Sequence, residues 1–414
     1  MTDRLKRPAE ASRVCVARQP ILDRDRKVFG YDLSFQALPG TDADRATADY
    51  ATARVISDGV LAIGLDNLID GRKAFVNVGR HLLLEGIPEI LPPNRVVIEL
   101  SADVEVDADV LMACRQLREA GYSLAVDDFV LNEWTADLVP LANFLKVDFA
   151  AVDGEAQTQI AAERGAKAAT LIAKKVETLD TFERASREGY TYFQGFFFGR
   201  PLILQGRDVP GHKLAHLRLL QALNDPDLSV HQLENLIKHD AALCYRILRT
   251  VNSAAFALQT TVHSIREALV LLGRDTVRRW ASLWALAGLN ESAHGELIVM
   301  STTRARCCEL LGASLGGEAA ASEGFLVGMC SLLDAILGRP MEAILSDLPL
   351  ADETRAALLG QDNPTRRLLD CAIAYERGEW DRCAEVSQRA GIKLTNLPVA
   401  FADALRWSRE LQKA

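Results

Sequence analysis

Six short apolar runs in the first half of the chain each deliver a polar residue at or near their C-terminal ends. They are AFVNV from residue 74, VVIEL from 96, LAVDDF from 124, FLKVDF from 144, LIAKKVE from 171 and YFQG from 192. Two more strand-like segments, VARQPIL and VFGYDLSF, precede them. Between the runs lie stretches with helical spacing, such as ATADYATARVISDGVLAI, DADVLMACRQLREAG, EAQTQIAAERGAK and LDTFERASREG. This alternation predicts a parallel sheet with crossover helices. In a closed ring of parallel strands the C-terminal ends meet on one face, which would bring Asn77, Glu99, Asp127, Asp128, Lys146 and Gln194 together. Lys174, in AKKVET, brings a cation to the same place. A closed barrel typically takes about 200 to 250 residues, so shortened crossovers are expected.

The segment PLILQGRDVPGHK, from residue 201, breaks the periodicity with two Pro and two Gly. Beyond it nearly every stretch places apolar residues three and four apart, including ALCYRILRTVNSAAF, IREALVLLG, EGFLVGMCSLLDAILG and TRRLLDCAIAYERGEW. The expected organisation is an N-terminal tail over 1–13, an α/β barrel over 14–205 and an all-α bundle over 206–414. At 414 residues the chain is long enough to bury two cores.

A net charge of −9 with no basic half argues against a nucleic-acid partner. The 8 Cys form no CxxC pair, the opening MTDRLKRPAEASRV has no apolar signal stretch, and the apolar runs GVLAIGL and FLVGMC are interrupted early. A cytoplasmic protein without membrane insertion is the expectation.

The order of these segments over 14–205 resembles the EAL domain, a (β/α)8 phosphodiesterase that hydrolyses cyclic di-GMP with two divalent metals. The resemblance implies metal-site roles for Asn77, Glu99, Asp127 and Asp128, a water-positioning role for Lys146, and Gln194 beside them. It also exposes departures. GYDLSFQ falls on the signature Glu-Ala-Leu followed two residues later by Arg, so Asp32 replaces the Glu and Gln36 the phosphate-gripping Arg. A neutral amide at Gln36 loses the bidentate contact that Arg makes with phosphate. DDFVLNE replaces a Gly-Thr-Gly turn, and Val130 and Leu131 lack its flexibility. Lys174 stands where AEGVET carries a metal-binding Glu. Its ammonium either pairs with Asp127 or Glu99 or snorkels along the rim into solvent.

The stretch from DPDLSV to VRRW, with RILRTVNSA and IREALVLLG, resembles the HDOD domain, a helical relative of the HD metal hydrolases that usually lacks their ligands. Ser331 and Leu332 in VGMCSLLDA stand where an active HD enzyme would carry its doublet. Other lookalikes have plainer readings. His239-Asp240 reads as a helix N-cap, His212 and His216 as a linker helix without a third zinc ligand, Trp280 and Trp284 as core, and Cys307 and Cys308 as buried thiols. Together the two halves resemble the EAL-HDOD signalling proteins. The expectation is a non-catalytic signalling protein with no bound cofactor, whose bundle engages a signalling protein and whose barrel still offers a place for cyclic di-GMP. The alternative is a phosphodiesterase or receptor with an altered metal site, in which Mg or Mn would be required.

Overall fold

A computed structural model describes residues 14–37, 65–101, 104–130, 137–164, 169–197, 228–238, 264–273, 295–337, 340–346 and 350–413, with isolated positions between 247 and 281. Leu131, His212, His216, His239, Asp240, Trp280, Trp284 and the junction PLILQGRDVPGHK lie outside these residues. The chain divides into two compact units, Met1–Arg200 with Cys371–Ala402, and Pro201–Asp370 with Asp403–Ala414.

The first unit is a closed eight-stranded barrel in sequential order: β1 Val14–Leu22, β2 Val28–Ala37, β3 Lys73–Asn77, β4 Val96–Ser101, β5 Ser123–Asp127, β6 Phe144–Asp148, β7 Thr170–Lys174 and β8 Tyr192–Gln194. Neighbours from β2 to β8 are parallel, whereas β1 runs antiparallel to both β2 and β8. The ring is therefore not wholly parallel, which corrects the closed ring of parallel strands expected from the sequence. The cause is the tight turn DRDRK, where Asp23 Oδ1 accepts from the amides of Asp25 and Lys27, and Arg26 takes a positive φ of 61°. Such a turn joins only antiparallel strands. Short crossovers do occur: residues 78–95 between β3 and β4 carry only the helix Arg80–Leu84 and the 3-10 turn Ile87–Ile90. Longer helices follow β4 (Ala108–Glu119), β6 (Gly154–Arg164) and β7 (Leu179–Glu188). Asp107 and Thr178 cap two of them by accepting the amides of Val110 and Thr181.

Strand side chains alternate inward and outward, so period two stacks the barrel interior in layers. Ile21, Phe75, Val97, Ala125 and Ile172 form the buried middle layer, with Phe29, Phe144 and Tyr192 packed against it. Phe29 stacks on Tyr192 with ring centroids 4.0 Å apart. The barrel closes through a short seam, because β8 has 3 residues and only Ile21 and Leu22 of β1 pair with it.

Residues Cys371–Ala402 group with the barrel although the sequence had assigned them to the bundle. The Tyr375 hydroxyl accepts the Val16 amide of β1 at 3.0 Å, and Tyr375 packs on Trp380 and Phe401. Contiguity of helical pattern cannot reveal which core a helix fills.

In the second unit, Leu233, Ile237, Ile247, Val251, Ile265, Leu269 and Val277 share one buried cluster with Trp407 against it. Helix Ile265–Leu272, from the string IREALVLLG, is capped by Ser264 and ends at Gly273 with φ 81°. Residues Gly295–Cys330 form two helical stretches broken at Gly317. A Cβ added at Gly324 would meet the Cys308 backbone, and one at Gly328 the Ala305 backbone, so glycine sets how closely the two stretches approach. One stretch, Ala319–Ile336, has the length and mean hydropathy of a membrane-crossing helix, and 59% of it is buried inside the protein.

Candidate functional site

Six polar residues at the barrel mouth each sit two positions beyond an apolar or aromatic interior residue of their own strand. The pairs are Phe75 and Asn77, Val97 and Glu99, Ala125 and Asp127, Phe144 and Lys146, Ile172 and Lys174, and Tyr192 and Gln194. Backbone bonds set their height. The amides of Val78, Phe129, Phe149 and Val176, each just past a strand end, donate to the carbonyls of Glu99, Lys146, Lys174 and Gln194 on the next strand.

These positions bring most of the expected residues together. Lys146, fully buried, donates to Asp32 Oδ2 at 2.6 Å and to Glu99 Oε1 at 2.5 Å, and its Nζ lies 3.9 Å from Asp127 Oδ1. Lys174, 13% exposed, donates to Asp127 Oδ1 at 2.5 Å and Asp128 Oδ1 at 2.9 Å. It does not run along the rim into solvent, and its second partner is Asp128 rather than Glu99. Glu99 is taken instead by Lys146, whose ammonium projects from the adjacent interior position. Asp128 reaches Lys174 from a left-handed backbone, φ 46°, outside the strand alternation. Asn77 pairs in register with Glu99 but is exposed. Gln36 pairs in backbone register with Cys15.

Burial opposes charge on both lysines, yet the surrounding carboxylates outweigh it and hold their pKa values above the ordinary lysine value. Burial also pushes Asp127 up, but Lys146 and Lys174 prevail and its carboxyl lies below the usual range. Glu99 goes the other way. Burial drives its pKa well up, only partly offset by Lys146, with Asp32 and Asp127 adding to the rise. Its Oε2 is buried without a hydrogen-bond partner, so nothing at that atom offsets the desolvation that raises the pKa. Lys146 and Lys174 thus face Asp32, Glu99 and Asp127 within the mouth, with the half-exposed Asp128 at the rim.

The donor set does not fit two divalent cations as it stands. Such ions need free carboxylate oxygens at about 2.0 to 2.6 Å, and here Asp32, Glu99, Asp127 and Asp128 each receive an ammonium. Among the described residues no group of three His, Cys, Asp or Glu stands ready to hold a metal. In the second unit, Ser331 donates to the Gly328 carbonyl and accepts from Arg304, while Leu332 is buried. Cys307 and Cys308 are buried as expected.

Two features were not anticipated. Gln19 on β1 accepts from Gln194 Nε2 at 2.9 Å, while Gln194 also donates to Asp32 at 3.0 Å. Period two in VARQPIL, which puts Gln19 on the inward face of Ile21, was the available signal. Lys175 pairs with the buried Asp148 at 2.6 Å, from a backbone with φ 54°.

Residues 212–336 match the HDOD domain family. The chain is 32% identical over 410 residues to YuxH of Bacillus subtilis, covering 97% of this chain and all of that protein. It is 31% identical over 405 residues to the cyclic di-GMP phosphodiesterase CdgJ of Vibrio cholerae, covering 96% and 93%. Among solved structures, the Klebsiella pneumoniae BlrP1 calcium/cyclic di-GMP complex is similar at 21% identity and a TM-score of 0.39, covering 49% of this chain and 58% of that one. With a barrel unit, an HDOD unit and end-to-end similarity to these relatives, the chain belongs to the EAL-HDOD signalling proteins related to cyclic di-GMP phosphodiesterases.

Proposed function

We propose that the barrel has lost metal-dependent hydrolysis and acts as a non-catalytic signalling domain, while the helical unit is a protein-interaction module for a signalling partner in the cytoplasm. One observation carries the reading: the Lys174 ammonium lies 2.5 Å from Asp127 and 2.9 Å from Asp128. Two-metal hydrolysis would need those oxygens for cations and for activating water. An ammonium about 4 Å from a dication is repelled by several kcal/mol at an effective dielectric near 20. The changes at Asp32 and Gln36 weaken metal reach and phosphate grip in the same direction. The expected result is no turnover of cyclic di-GMP by the full-length protein in Mg²⁺ or Mn²⁺, with CdgJ assayed alongside. Turnover by the wild-type chain sinks the proposal.

A second reading is a phosphodiesterase or receptor with an altered metal site. It is favoured by the similarity to CdgJ along nearly the whole chain. Calorimetric titration separates the two forms of it: heat on adding cyclic di-GMP without turnover indicates a receptor. Under the first reading, Lys174→Glu combined with Asp32→Glu regains Mn²⁺ binding, since it adds one carboxylate donor and lengthens the reach of another on an intact framework.

A further inference from the structure

Among the described residues, no strand pairs with the outer edge of the N-terminal half of β1. β8 pairs only with Ile21 and Leu22, so Val14–Pro20 run on beyond the seam with β2 on one side. Because β1 is antiparallel to β2, this half lies at the C-terminal mouth, beside the ion cluster. Unpaired strand edges are normally covered. Here the cover is Cys371–Ala402, which belongs to the same compact unit as the barrel. Tyr375 accepts the Val16 amide, and the Arg377 carbonyl accepts from Gln19 Nε2 at 3.4 Å. The Arg377 guanidinium lies 4.2 Å from the ring centroid of Phe196, just past β8. Gly378, with φ 68°, sits over Ala17 and Ser34, where a Cβ would come within 3.5 Å of Ala17. Ala17, Gln19, Asp32 and Ser34 share the inward face of the β1–β2 ribbon. Hydrogen bonds therefore run without a break from Lys146 through Asp32, Gln194 and Gln19 to the backbone of Arg377.

We propose that Cys371–Ala402 is an intramolecular cap, docked on the β1–β2 ribbon at the barrel mouth and able to leave it while the barrel stays folded. Its occupant role competes with any ligand that needs Gln19, Asp32 or Ser34. Its polar contacts with the barrel are a hydroxyl, a side-chain amide and a guanidinium on a ring, beside buried apolar side chains that include Tyr375, Cys383, Leu397 and Phe401. In the chain, bundle residues flank the segment on both sides, so a partner bound to the bundle has a covalent route to the mouth.

The buried thiols report on it. Cys15, Cys371 and Cys383 lie under or within the cap and Cys114 lies in the barrel helix Ala108–Glu119, all four buried. Burial pushes the Cys15 and Cys383 thiols up to about 12 and Cys114 up to about 11, so reaction requires opening. In the full-length wild-type protein under native conditions, N-ethylmaleimide followed by peptide mass spectrometry is expected to label Cys15, Cys371 and Cys383 at least tenfold faster than Cys114. Tyr375→Phe is expected to speed the first three at least a further fivefold, with Cys114 unchanged. A single common rate for all four in the wild type overturns the proposal, since the segment would then open only with global unfolding. So would acceleration of Cys114 together with the others in Tyr375→Phe.

Discussion

Lys174 donates to Asp127 and Asp128 at the rim, so truncating it leaves the mostly buried Asp127 with only Lys146, 3.9 Å away, to oppose its charge. Removing one partner of such a pair costs about 3 kcal/mol or more. Lys174→Met should therefore lower the urea midpoint at pH 7. Because Asp127 is held below its ordinary pKa by Lys146 and Lys174 against burial, the stability it contributes is present at neutral pH. It is lost as pH falls through the depressed value, below about 4. The gap between wild type and Lys174→Met should close over that window, and a gap independent of pH would contradict the pairing. Glu99 has the opposite sign. Its pKa is raised, chiefly by burial, so its favourable share is complete below about 4.3 and declines as pH rises through the raised value. Glu99→Gln keeps an oxygen for Lys146 and removes the titration. It should match wild type near pH 4 and exceed it by on the order of 1 kcal/mol at pH 8 in urea melts.

At the scale of elements, close backbone approaches decide where substitution fails. Gly195 ends β8 with φ 151°, and a Cβ there would overlap the Val176 backbone that hydrogen-bonds to Gln194. Gly195→Ala should destabilise the barrel by about 2 kcal/mol or more, read by loss of near-ultraviolet circular dichroism at lower urea. Gly328→Ala should cost about 1 to 3 kcal/mol in the bundle by forcing apart stretches that meet at Ala305. The strands were legible because period two survives in runs of five residues, and it also fixed the ring of polar residues above the apolar layer. Three things were not. The direction of β1 depends on Asp23 folding the turn, which strand patterning does not encode. Glu99 finding Lys146 depends on cross-barrel reach, and the assignment of Cys371–Ala402 depends on which core Tyr375 and Phe401 enter. An amphipathic helix announces a buried face and leaves its partner unnamed.

At the scale of the whole molecule, the barrel unit is discontinuous in sequence, with its last part arriving about 170 residues after residue 200. A cut at the apparent junction, between 205 and 206, therefore severs connectivity without separating the two cores. The fragment 1–205 would keep all eight strands but lose the hydroxyl that satisfies Val16 and the cover over Ala17 and Ser34. Its β1 edge would be open to another chain, so alone it should self-associate. The fragment 206–414 would carry Tyr375 and Phe401 as exposed apolar surface. Co-expressed, the two halves should bind each other through 371–402, and a tag on one should retrieve the other in equal amounts. Deleting 371–402 from the second fragment, with a short flexible bridge in its place, should abolish the recovery. Equal recovery after that deletion would mean that other surfaces join the halves and that the returning segment is dispensable to the barrel.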